Sequence, residues 1–129
     1  PRKIKQLGRQ VRGFKDKRWK KYREDIVYQA TMAKFTQNQS MKEVLMSTKG
    51  SLLVEASPSD KIWGIGLREK DAKRTPPSKW IGLNLLGKIL TQVREDIAAM
   101  ECSAIEESSE DLLDTSTTPV NNAEVELNN

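Results

Sequence analysis

Apolar residues between Asp16 and Gln37 recur at helical intervals: Trp19, Tyr22, Ile26, Ala30 and Ala33 form one stripe, with Val27 beside it. That period predicts an amphipathic helix with the striped face in the core and Asp16 as its N-cap. A second period runs through Leu83, Leu86, Leu90, Val93 and Ile97, predicting a helix that reaches about Ala99. The two helices are expected to pack through the Trp19 and Leu86 stripes as the main core. Between them, Ser40 and Glu43 have the capping-box spacing, Met41, Val44 and Leu45 supply an apolar side, and Gly50 marks a helix end. Near the start, Ile4, Leu7 and Val11 are interrupted by Gly8, which reads as a short helix ending near Gly13. The run SLLVEA over 51–56 suits a strand or an extended segment equally, and Pro58 biases Ser57 away from helix. The fold class is therefore mainly α, with little sheet.

The stretch 60–87, DKIWGIGLREKDAKRTPPSKWIGLNLLG, lies between the helical periods and mixes residue types that ordinary loops do not combine. Gly64 and Gly66 flank one isoleucine, a spacing that serves close backbone approach to a ligand or a turn through positive φ. Trp63 offers a flat face for a base or a sugar, or else anchors the turn. Asp60 is either a turn former within SPSD or a carboxylate aimed at chemistry. Asn84 and Gly87 stand three apart, on a common face near the start of the last helix. Residues 67–78, with REKDAKR and a proline pair, read as a mobile surface excursion of the kind that covers sites on rigid scaffolds.

Charge sharpens this picture. Residues 101–129 hold eight acids and no Lys or Arg, without a sustained apolar period, so they are expected to form a disordered acidic tail. Residues 1–100 hold all 22 bases against 10 acids, leaving +12. A domain this basic attracts phosphate-bearing partners, whether nucleotide, nucleic acid or anionic membrane. Arg9, beside Gly8, presents a planar fork that grips phosphate, or is simply a solvated arginine on a basic face. The bases crowding 17–23 stand where the helix dipole disfavours cations, so they serve a ligand or are a solvated face.

The chain has one cysteine, Cys102, and no histidine. That excludes a histidine-based catalytic relay, a His-bearing metal site built by this chain and an internal disulfide, and it suits a reducing, intracellular setting. No apolar run has the length of a membrane span, no signal segment opens the chain, and WGIGL lacks the Gly-Lys-Ser/Thr of a phosphate loop. The expectation is no cofactor, no metal and no membrane.

The ordered set Gly8–Arg9, Trp19 before a long helix, Ala33-Lys34-Phe35, Val54–Glu55, Asp60 three residues before WGIG, and GLNLLG leading into a helix with VRE resembles the NADAR family over about 1–98. The resemblance implies a YbiA-like multihelical domain over 1–100, followed by the acidic tail. It also implies N-glycosidase chemistry on a ribose–base C–N bond. The substrates it implies are a phosphorylated riboflavin-pathway intermediate or an ADP-ribosylated nucleobase. Asp60 would be catalytic, and Arg9, Trp63, Gly64, Gly66 and Asn84 would bind substrate. The alternative class is a non-catalytic module that binds ADP-ribose or nucleic acid. The family's N-terminal segment, a Ser-Glu-containing helix with an active-site glutamate, is expected to be lacking before Pro1, making the chain a truncated or degenerate relative.

Overall fold

The computed structural model describes residues 2–114, which are helical apart from turns and extended links and contain no strand. In chain order the helices are α1 (Arg2–Gly8), α2 (Asp16–Thr36), α3 (Gln39–Ser47), α4 (Glu69–Ala72) and α5 (Leu85–Asp114), with a 3₁₀ turn at Pro77–Lys79. The chain divides into two compact units, Pro1–Ile97 and Ala98–Asn129. The core and the loop of 60–87 belong to the first.

Leu45 of α3 and Ile89, Val93 and Ile97 of α5 form the buried core, with the four-residue spacing of one helix face. Against it lie the half-buried Val27, Tyr28, Met32 and Phe35 of α2. The face that α2 buries is thus turned by roughly 180° from the predicted Trp19 stripe. Tyr22 and Ile26 are 44% and 49% exposed. Two causes favour the observed face: Met32 and Phe35 remove more apolar area from water than Ala30 and Ala33, and the Tyr28 hydroxyl donates to Asp96 Oδ2 of α5 at 2.7 Å. That bond holds the Tyr28 phenol above its usual pKa, because it favours the neutral form beside a carboxylate.

Helix α5 keeps the predicted stripe through Leu86, Leu90, Val93 and Ile97 but differs at its ends. It begins after Asn84, so Leu83 falls before the helix and is 53% exposed, while Leu85 is buried and Leu86 half-buried. The helix also continues past Ala99 to Asp114 through residues of good helix propensity such as Ala, Met and Glu. The acidic segment from Glu101 is therefore helical as far as Asp114. The rest of the expected tail, 115–129, lies outside the described residues.

Smaller departures are local. Helix α1 stops at Gly8, and Gly13 instead turns the chain at φ +70°. Asp16 sits inside the first turn of α2, paired with Lys20 at 2.9 Å, and Lys15 takes the N-cap position. Asn38 precedes α3, so Ser40 is helical and Glu43 accepts from Gln39 Nε2 at 2.9 Å instead of closing a capping box. Met41 and Val44 face outward. The excursion 67–78 contains α4, with an exposed Glu69–Lys73 pair at 2.6 Å, and Trp80 Nε1 closes it by donating to Thr75 O at 3.0 Å. That hydrogen bond from Lys73 lowers the pKa of Glu69 and raises that of Lys73.

A buried cation ties α5 to the end of α3. Arg94 is 4% exposed, and its Nη1 donates to Thr48 O at 2.5 Å, Thr48 Oγ1 at 3.0 Å and Ser51 O at 3.1 Å. Helix C-termini leave carbonyls unpaired and carry partial negative charge, so a guanidinium there satisfies both needs.

Candidate functional site

The loop of 60–87 is built on backbone pairing. Ile65 N donates to Glu55 O at 3.0 Å, and Gly82 N donates back to Ile65 O at 2.8 Å. Four successive N–H groups at the entry to α5 then meet carbonyls of the loop: Leu83 to Lys61, Asn84 to Gly64, Leu85 to Ile62 and Leu86 to Trp63, all within 2.9–3.2 Å. The N–H groups of Asn84, Leu85 and Leu86, which a helix start leaves open, are therefore spent on this loop. They do not form a phosphate cradle.

Such lacing explains the glycines. A Cβ on Gly64 would stand 2.7 Å from Glu55 O, and one on Gly82 would collide with Gly64 O. Gly66 turns the chain at φ +72°, a conformation that side chains resist. Of the two uses open to the WGIG glycines, the structure employs both close approach and positive φ, and the approaching group is the protein's own backbone. Ile65 between them is fully buried.

Asn84 is the clasp. It is 5% exposed, adopts φ +52°, donates through Nδ2 to Leu53 O at 2.9 Å and accepts at Oδ1 from Glu55 N at 3.0 Å. Its amide thus fastens the extended 53–55 segment to the start of α5. Gly87 leaves room for it, since a Cβ there would meet Leu53 O and the Asn84 amide.

Asp60 is partly buried at the head of the loop, and its Oδ1 accepts from Ile62 N at 2.9 Å and Trp63 N at 2.8 Å. The turn role and the carboxylate thus coexist in one side chain. Trp63 is half-buried against the core, and the guanidinium of Arg23 lies over its indole, 6.0 Å from the ring centroid. The Nε of Arg23 is buried and has no hydrogen-bond partner. Asp60, Trp63, Gly64, Gly66 and Asn84 are therefore gathered in one structure, whereas Arg9 is exposed in the turn after α1 and takes part in none of the loop's hydrogen bonds among the described residues.

Sequence reasoning placed Arg23 only within a basic cluster and missed Gly82. The available signal for Arg23 was its four-residue spacing from Val27 and Trp19, which puts a cation on the flank of an apolar face.

Elsewhere, an open groove of about 340 Å³ is lined by Phe14, Lys15, Arg18, Trp19, Tyr22 and Ile26. Phe14 and Trp19 meet there at a 53° tilt. Among the described residues no group of three or more His, Cys, Asp or Glu side chains is placed to hold a metal ion, and no helix is long and apolar enough to cross a membrane.

Comparison with known proteins gives this geometry a context. Residues 1–98 match the model of the NADAR domain. The chain is 50% identical over 94 residues to N-glycosidase R617 of Acanthamoeba polyphaga mimivirus, covering 73% of this chain and 55% of that protein. It is 44% identical over 99 residues to Protein irg-1 of Caenorhabditis elegans, covering 75% and 47%. It is 40% identical over 79 residues to the chloroplastic riboflavin biosynthesis protein PYRR of Zea mays, covering 61% and 11%. The chain thus spans about half the length of the first two.

Proposed function

Because the chain belongs to the NADAR domain family, we propose that it acts in an N-glycosidase, hydrolysing the C–N bond between a ribose and a base. The observation that carries this reading is its similarity to the mimivirus N-glycosidase across the segment that includes the Asp60 loop. The name of the maize relative places it in riboflavin biosynthesis, which supports an intermediate of that pathway as substrate, here taken to be a phosphorylated ribosyl compound.

The chemistry suits the residues at hand. As the C–N bond breaks, its electron pair leaves with the base, which takes up a proton, and positive charge develops on the ribose. Water then bonds to the anomeric carbon and releases a proton. A carboxylate fixed in place lowers the barrier by opposing that positive charge without having to reorganise. Asp60 supplies it, held rigid by the N–H groups of Ile62 and Trp63. The Trp63 indole offers the apolar surface for a ring, while Gly64, Gly66 and Asn84 keep the loop in shape.

The test is chromatographic detection of free base after incubating the full-length protein with a phosphorylated riboflavin intermediate and, in parallel, with an ADP-ribosylated nucleobase. Base release from the first supports the substrate reading, and release from the second alone transfers the activity to ADP-ribosyl substrates. Binding of either without base release would replace the enzyme with a binding module.

A further inference from the structure

Resting on that reading, we propose that Arg23, in place of Arg9, grips the phosphate of the ribosyl ligand. Three observations converge on it. Its Nε is buried and lacks a partner. Its guanidinium is held over the Trp63 indole. The Trp63 backbone N–H in turn donates to Asp60 Oδ1.

An arginine N–H withdrawn from water without an acceptor is costly, so the arrangement favours an acceptor arriving from outside. The aromatic face keeps the planar guanidinium oriented and partly dry, which strengthens any anion contact it makes. Nε with a neighbouring Nη presents the two parallel donors that match two oxygens of a phosphate. Electrostatics narrows the class further. A fixed cation close to a ribose that is gaining positive charge opposes the reaction, unless the substrate brings an anion to neutralise it. A phosphate carried by the ribose meets that requirement, and an uncharged nucleoside does not. Arg9, exposed after α1, has none of these constraints.

Calorimetric titration with ribose 5-phosphate and with ribose tests the assignment, using wild type, Arg23→Met, Arg23→Lys and Arg9→Met, with helical content checked by circular dichroism. Arg23→Met keeps much of the apolar stem over Trp63 while removing the donors, and should weaken ribose 5-phosphate about tenfold to a hundredfold. Arg23→Lys should fall between, since it restores charge without the fork, and Arg9→Met should match wild type. Equal affinity of folded Arg23→Met and wild type for ribose 5-phosphate would overturn the proposal, as would wild type failing to prefer ribose 5-phosphate over ribose. Should Arg23→Lys alone fold, an affinity equal to wild type would count against the fork. Base release is read separately: Arg23-dependent phosphate binding without base release upholds this assignment and removes the N-glycosidase reading.

Discussion

Asp60 Oδ1 accepts two backbone N–H groups of its own loop, a geometric role that a single substitution can separate from the charge. Asn retains an Oδ1 that accepts from Ile62 and Trp63 N–H but carries no charge. Asp60→Asn should therefore fold normally and bind ligand nearly as wild type, while turnover falls on the order of a hundredfold or more. Steady-state kinetics with a folding control decide it, and full turnover would leave Asp60 as a turn residue alone. Asn84 makes the opposite case, because its amide serves the chain. Asn84→Ala strands Leu53 O and Glu55 N and places a Cβ-bearing residue without a local hydrogen bond at φ +52°. The expected loss is about 2–4 kcal/mol in chemical denaturation. A loss of activity with unchanged stability would instead assign Asn84 to the ligand.

Among the elements, α3 and α5 carry the buried core and α2 packs against it, yet α2 presents apolar residues on more than one side. Ile97 of α5 is 2% exposed and Ile26 of α2 is 49% exposed. Ile97→Ala should cost about 2–5 kcal/mol, whereas Ile26→Ala in this chain should stay within about 0.5 kcal/mol. Denaturant midpoints for the pair check which face of α2 is buried, and equal losses would return the Trp19 stripe to the core.

Across the whole molecule, 22 bases against 10 acids in 1–100 set a positive field that reaches beyond any one contact. Salt dependence distinguishes what that field serves. If the ligand is a single sugar phosphate, the slope of log affinity against log salt for ribose 5-phosphate should have a magnitude of about 1. A slope of several units for single-stranded nucleic acid, together with affinity exceeding that for ribose 5-phosphate, would favour the nucleic-acid module.

What the sequence determined by itself was whatever depends on neighbours in the chain. Helical periods, the break at Pro58, the Asp60-to-Gly66 turn and the ordered motif set that marks the family were all legible there, because backbone sterics and residue spacing act locally. The faces were not. Trp19, Tyr22 and Ile26 satisfy a helical period as well as Val27, Tyr28 and Phe35 do, and only α5, with Asp96 and its isoleucines, selects between them. The start of α5 was likewise decided from 31 residues away, where Leu53 O accepts the Asn84 amide and fixes its left-handed turn. Arg23 looked like one base among several in a crowded stretch. Its placement over Trp63, with Nε left unpartnered, exists only once α2 and the loop are packed together. Burial and pairing over such separations depend on area and hydrogen-bond partners supplied by distant segments, and no local pattern encodes which of those partners will arrive.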